Sequence, residues 1–150
     1  MSISLEAYIL HGTPGSGKST RAIEIANEYA KGDIEGKSYE IISTDKYWLD
    51  ENNEYKFNIN LLGDAHNWAF REWHDACHEG ITLLILDNTN IQRKEWENYA
   101  HVASYCGYDV NHISFKPENI DQALEWNARG LHYVPDKTVI NMFNRWEDAE

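Results

Sequence analysis

The sequence predicts a three-layer α/β domain built on a parallel sheet. Three observations carry that expectation. Segments of strand and helix character alternate along the chain, the run ITLLIL at 81–86 is apolar at nearly every position, and a glycine-rich turn joins the first strand to the first helix. Alternation of this kind is the pattern of βα units. An uninterrupted apolar strand suits a parallel sheet covered on both faces. With 150 residues, 42% of them apolar and 25% charged, the chain can bury a core, and a single domain over 1–150 is expected.

Taken in order, residues 7–10 (AYIL) read as a short buried strand that ends at the glycine-rich turn. Residues 18–29 follow as a helix, with Ala22, Ile25, Ala26 and Tyr29 at helical spacing. Residues 39–43 (YEIIS) are a second strand, and the polar stretch 46–58 with its interspersed aromatics reads as a loop. Leu61, Leu62, Ala65, Trp68, Ala69, Ala76 and Cys77 mark one face of a long helix, stopped by Gly80. After the strand 81–86 comes a helix bearing Trp96, Tyr99, Ala100 and Ala103, ending near Gly107, and then a fourth strand over 108–115. Two helices, 120–128 and 137–146, close the chain. The tract RGLHYVP between them, with Gly130 and Pro135, is expected to be mobile. Parallel sheets bind ligands beyond the carboxyl ends of their strands, so the chemistry is expected just after Leu10, Ser43, Leu86 and Phe115.

The turn Gly12-Thr13-Pro14-Gly15-Ser16-Gly17-Lys18-Ser19 fits G-x-x-x-x-G-K-[ST] between a strand and a helix. Glycines allow successive N–H groups to turn inward as an anion nest, and the helix that follows adds the positive end of its dipole. Lys18 would reach the β- and γ-phosphates of a nucleoside triphosphate, the Ser19 hydroxyl would bind magnesium, and Thr20 would contact the α-phosphate. A chance match in a chain of this length has odds of roughly half a per cent at ordinary residue frequencies.

Such a site also needs an acid that organises magnesium at the end of a hydrophobic strand. Asp87 ends ITLLIL, and Asn90 is placed to cap the next helix, which frees Asp87 for the ion. Asp45 follows the YEIIS strand by two residues, where a carboxylate would face the γ-phosphate and accept a proton from an attacking hydroxyl. A plain loop aspartate explains that spacing about as well.

The motifs GTPGSGKST, STDKYW, NEYKFN, AHNW, LILDNTN, RGLHYVP and MFNRWE occur in one order and spacing. In this the chain resembles the P-loop kinases related to polynucleotide 5′-hydroxyl kinase, and the small Nedd-binding-protein kinase-domain group in particular, from about residue 8 to residue 147. The resemblance implies a four-stranded parallel sheet of order 2-3-1-4, a mobile arginine-bearing lid, and transfer of the ATP γ-phosphoryl group to a hydroxyl. It implies that Asp45 is the general base, Asp87 the acid on the third strand, and Arg129 the lid arginine that stabilises charge on the transferring group. The chain departs from the family at Lys46, where a second acid is common, at Trp48, where the phage polynucleotide kinase has an arginine, and at Arg129-Gly130, where Arg-Asn is usual. The first two departures bear on the acceptor. Trp48 could stack on a base in place of an ionic grip.

Other features point to ordinary packing or surface roles. His74 and His78 lie i, i+4 on a helix, a metal-compatible spacing, but no Glu follows His74 and a surface face explains them better. Trp68, Trp96 and Trp146 are expected on helix core stripes, leaving Tyr47, Trp48 and Tyr55 as candidates for substrate contact. Arg93 is equally a phosphate ligand or an exposed first-turn residue, and Arg145 is expected to pack or pair near the last helix.

Thirteen Lys and Arg against twenty-five Asp and Glu give a net charge of −12. That excludes grip on an extended duplex, which needs many cations, while leaving a few arginines free to hold one strand end. No apolar run is long enough to span a bilayer, and residues 1–12 lack the pattern of a secretory signal. Two cysteines, Cys77 and Cys106, fit a reducing, cytoplasmic setting. The expected ligands are ATP, Mg²⁺ and a hydroxyl acceptor, foremost a nucleic-acid 5′ end. A small metabolite such as a nucleoside or sugar is the alternative acceptor, and an ATP-binding module without transfer activity is the alternative class.

Overall fold

The computed structural model describes residues 3–32 and 35–149. Four parallel strands form one sheet of order β2-β3-β1-β4, as the resemblance implies. The strands are β1 (Glu6–Gly12), β2 (Tyr39–Ile42), β3 (Leu83–Asp87) and β4 (Asp109–Phe115). The helices are α1 (Lys18–Ala30), α2 (Leu62–Glu79), α3 (Arg93–Tyr105), α4 (Ile120–Arg129) and α5 (Asp136–Asn144).

The period-two alternation of the central strands divides the core in two. Ala7, Ile9, Leu84 and Leu86 face α2 and α3, meeting Ala69, Trp73, Ala76, Trp96, Tyr99 and Ala103. Leu10, Leu83 and Ile85 point the other way, onto Ala22 and Ala26 of α1. Every residue of β3 is buried, which is why its sequence shows no polar alternation. Trp73 is fully buried, and its indole N–H donates to the Tyr99 carbonyl at 3.0 Å, locking α2 to α3.

Several expectations shift. The third strand starts at Leu83, because Thr82 is used as a side-chain tie: its hydroxyl donates to the Ser38 carbonyl and accepts from Tyr29 at 2.7 Å each. Leu61 lies outside α2 and is 40% exposed. Trp146 follows the end of α5 at Asn144 and sits half-buried near the Lys116 ammonium, so it is no helix core residue. The loop expected over 46–58 begins inside a 3₁₀ turn, Thr44–Trp48, and continues as a narrow bend closed by an antiparallel bridge between Leu49 and Tyr55. Among the described residues no helix is long and apolar enough to cross a membrane.

Candidate active site

Backbone and short side-chain hydrogen bonds tie together the turns that leave β1, β2 and β3. The Gly12 N–H donates to the Thr89 carbonyl at 2.9 Å, and the Asn90 amide donates to the Leu10 carbonyl at 2.7 Å. Asn90 takes φ 47°, a left-handed conformation that asparagine tolerates, and is 3% exposed. It is a strut for β1. The helix cap assigned to it belongs to Gln92, in a capping box with Glu95. Asn88 accepts from the Thr44 N–H at 2.9 Å, pinning the chain just before Asp45 to the residue after Asp87. The motif DNTN is thereby legible as three ties and one acid.

The phosphate-loop residues Gly12, Thr13, Pro14, Gly15, Ser16 and Gly17 connect β1 to α1, with Gly15 at φ 77° and Gly17 at φ 98°. Lys18, Ser19 and Thr20 form the first turn of α1. The Ser19 hydroxyl donates to Asp87 at 2.7 Å. Asp87 is 9% exposed, and its other carboxylate oxygen is buried without a partner. Thr13, Ser16 and Thr44 also carry buried hydroxyl oxygens without partners. Buried polar atoms are normally paired, yet four of the five orphans among the described residues lie in this turn, on the acid bonded to Ser19, or on Thr44, which is tied to the residue after that acid. A hydroxyl and a carboxylate oxygen side by side are a hard-oxygen donor set that suits Mg²⁺, so Ser19 and Asp87 fit the ion assigned to them.

Arg129, the last residue of α4, donates from Nε to the Gly15 carbonyl at 3.2 Å, its guanidinium 5.7 Å from the Trp126 ring. It therefore stands over the phosphate loop. Asp45 lies on the 3₁₀ turn after β2, exposed, its N–H donating to the Ser43 hydroxyl at 3.2 Å. The ammonium of its neighbour Lys46 donates to the Ile41 carbonyl.

Of the aromatic candidates, Trp48 is only 4% exposed and meets Tyr47 and Phe57 edge-on. It is an anchor for its loop, and burial leaves no face for a base. Tyr47 packs between Trp48 and Trp68. Tyr55 alone of the three reaches the tract 129–135, where its ring stacks on His132. Arg93 pairs with Glu97 at 3.3 Å, and Arg145, just past the end of α5, donates to the Asn141 carbonyl of that helix. His74 and His78 stack with centroids 4.1 Å apart, and the His78 Nδ1–H donates to the His74 carbonyl at 2.9 Å.

Asn127 escaped notice in the sequence. It is 1% exposed, gives its amide to the Val134 carbonyl at 2.6 Å and accepts the Val134 N–H at 3.3 Å. The tract expected to be mobile is thus tied across 130–134 by both halves of one side chain. A polar residue four positions after Ala123, on the buried stripe of a short helix, was the available signal.

A family model described as "AAA domain" matches residues 8–145. The chain belongs to this family of P-loop, kinase-like domains. Human NEDD4-binding protein 2 is 28% identical over 151 residues, covering 97% of this chain and 8% of its own length. Rat 2′,3′-cyclic-nucleotide 3′-phosphodiesterase is 32% identical over 106 residues, covering 69% of this chain and 22% of its own length. The P-loop domain described here therefore spans less than a quarter of either relative. Among solved structures, a chain of the Pnkp1/Rnl/Hen1 RNA repair complex superposes with TM-score 0.67 at 13% identity, covering 97% of this chain and 45% of that one. A gluconokinase from Sinorhizobium meliloti gives 0.54 at 17%, covering 95% and 75%. At these identities the two structures show a shared fold.

Proposed function

We propose that this domain is an ATP- and Mg²⁺-dependent phosphotransferase acting on a hydroxyl, with the 5′-hydroxyl of a nucleic-acid end as its preferred acceptor. The observation that carries the reading is the group of unpartnered buried oxygens on Thr13 and Ser16 of the glycine-rich turn, on Asp87 bonded to Ser19, and on Thr44 tied to the residue beside Asp87. They are the groups a triphosphate and its cation would satisfy.

In this reading the loop and Lys18 hold the triphosphate. Ser19 and Asp87 hold Mg²⁺, which when bound neutralises charge on the phosphate oxygens. Asp45 receives the proton of the acceptor hydroxyl as its oxygen bonds to the γ-phosphorus. The bond from that phosphorus to the β–γ bridging oxygen breaks, and ADP leaves. Arg129 offers its guanidinium to the oxygens of the transferring group. Most of the rate enhancement is positioning and electrostatics.

The relatives named for an RNA repair complex and for a cyclic nucleotide support a nucleotide acceptor. The net charge of −12 favours a small uncharged acceptor, a nucleoside or sugar, as the second reading. Incubation with γ-labelled ATP and Mg²⁺ against a 5′-hydroxyl oligonucleotide and a nucleoside and sugar panel separates them. The oligonucleotide is expected to be labelled best. Asp45→Asn should lower kcat by about 10²–10⁴-fold and Arg129→Ala by about 10³-fold. No labelled product from any acceptor, with ATP still bound, would reduce the protein to a nucleotide-binding module.

A further inference from the structure

Large apolar side chains on the surface of this domain are gathered rather than scattered. Nine stand exposed among the described residues, and six of them fall in two short segments, 49–61 and 131–133. Those segments meet in space, where the half-buried Tyr55 ring stacks on the exposed His132, centroids 3.9 Å and planes 16° apart. Grouped exposure of this kind marks a binding surface, whereas single exposed residues do not.

The rings are held in place. The Lys56 N–H donates to the Trp48 carbonyl at 2.7 Å, and the Asp50 carboxylate accepts the N–H groups of Asn52 and Glu54, so the bend 49–56 is braced from within. Phe57, 52% exposed, leans on the buried Trp48 with centroids 5.0 Å apart and planes at 67°. Tyr133, in the other segment, donates its hydroxyl to Asp136 at 3.1 Å while its ring stays exposed. Rings fixed before a ligand arrives cost little further ordering when it binds.

The patch borders the proposed chemistry on two sides. Trp48, on which Phe57 leans, closes the 3₁₀ turn that holds Asp45. His132 follows by three residues the Arg129 that reaches the Gly15 carbonyl. Charge then restricts the occupant. The bend offers one cation, Lys56, already paired with Asp50 at 3.1 Å and Glu54 at 3.8 Å, and Glu51 adds a further acid. A run of phosphates would be repelled there. A nucleoside that ends in a free 5′-hydroxyl has no phosphate on that side, and its base stacks on an aromatic ring with no need of a cation.

We propose that His132, backed by Tyr55, and Phe57 form the seat for the nucleobase of the nucleoside that carries the acceptor hydroxyl, and so select a nucleoside unit over a bare sugar. That nucleoside is either the first unit of a strand or a free molecule. Phosphorylation of its hydroxyl rests on the phosphotransferase reading; the seat for the base does not.

Binding without transfer, on the whole chain with ADP and Mg²⁺ present, tests the seat. The probe is 2-aminopurine, a fluorescent base quenched by stacking, placed at the first or the third position of a 5′-hydroxyl tetranucleotide, or offered as the free nucleoside. Quenching is expected from the first position and not from the third. His132→Ala and Phe57→Ala should each weaken binding about 5- to 150-fold, the range of one lost base–ring stack, and His132→Phe and Phe57→Tyr should restore it. Quenching of the tetranucleotide alone would support a seat for strand ends, and quenching of the free nucleoside as well would support one for any nucleoside. Alanine variants that bind as the native protein does, or equal quenching from the third position, would overturn the proposal and leave the patch to a protein partner.

Transfer kinetics with γ-labelled ATP then separate recognition of the base from plain structure. Both alanine variants should raise KM for the tetranucleotide by a similar factor with KM for ATP unmoved, and ribose should be labelled poorly by every form alike. A rise shared by ATP and acceptor, or ribose labelled as well as the nucleoside, would also overturn the proposal. A native protein that labels no acceptor, yet quenches the probe through His132 and Phe57, would sink the kinase reading and leave the seat supported.

Discussion

His11 stands one residue before the phosphate loop, 1% exposed, with both ring nitrogens engaged. The Asn90 carbonyl, 2.8 Å from Nδ1, can only accept, so Nδ1 carries the hydrogen. Nε2 then accepts from His112 Nδ1 at 2.8 Å. This arrangement requires a neutral ring, and burial pushes its pKa from 6.5 down to about 4, opposed by the Asn90 bond and aided by His112. Because the folded value is the lower one, the unfolded chain binds the extra proton between those limits. The stability His11 contributes is therefore complete above about pH 6.5 and is lost as pH falls toward 4, by up to about 3 kcal/mol. Urea midpoints of the native protein and His11→Asn, measured from pH 7 to 4, check this. The variant keeps a donor for the Asn90 carbonyl, so it should be less stable at pH 7 but fall less steeply; parallel curves would refute the assignment.

Between elements, α4 approaches the phosphate loop closely at Gly15. A Cβ on Gly15 would fall on the Trp126 carbonyl, whereas one on Gly17 would meet nothing nearby. Both positions have positive φ, so alanine at either carries left-handed strain of about 1–2 kcal/mol. Only Gly15→Ala also forces α4 away. It should lose clearly more thermal stability and nucleotide affinity than Gly17→Ala, as thermal melts with and without ATP would show; equal losses would mean that α4 can move aside at no cost. Sequence reasoning reached this level unevenly. The order of strands and helices was readable because burial writes its period into residues such as Ala7, Ile9, Leu84 and Leu86. The glycine-rich turn was readable because its chemistry is local. Trp48 was misread because an aromatic in a polar stretch looks the same whether it faces solvent or anchors the loop. Asn90 and the Tyr55–His132 stack depend on partners elsewhere in the fold, and no local pattern announces a side chain bonded to a carbonyl 80 positions away.

For the molecule as a whole, charge decides how an acceptor can be held. Thirteen cationic side chains face twenty-five acidic ones, and several of the cations are already paired: Arg21 with Glu24, Lys31 with Glu28, Lys56 with Asp50, Arg93 with Glu97 and Lys116 with Asp148. Lys18 on the loop and Arg129 over it are the cations that the proposed mechanism assigns to ATP. Under the proposed function, an excess of acidic side chains this large favours an oligonucleotide held at its end, through about one or two phosphates. Each neutralised phosphate of a single strand contributes about −0.7 to the slope of log K against log salt. Binding of a 5′-hydroxyl oligonucleotide, followed by fluorescence anisotropy from 50 to 200 mM salt (roughly the range over which counterion release is read), should give a slope no steeper than about −1.4. Lengthening the strand should leave that slope unchanged, because nucleotides beyond the end meet a surface of their own sign. A slope that steepens with length would require a basic track along the strand and would overturn the end-on grip.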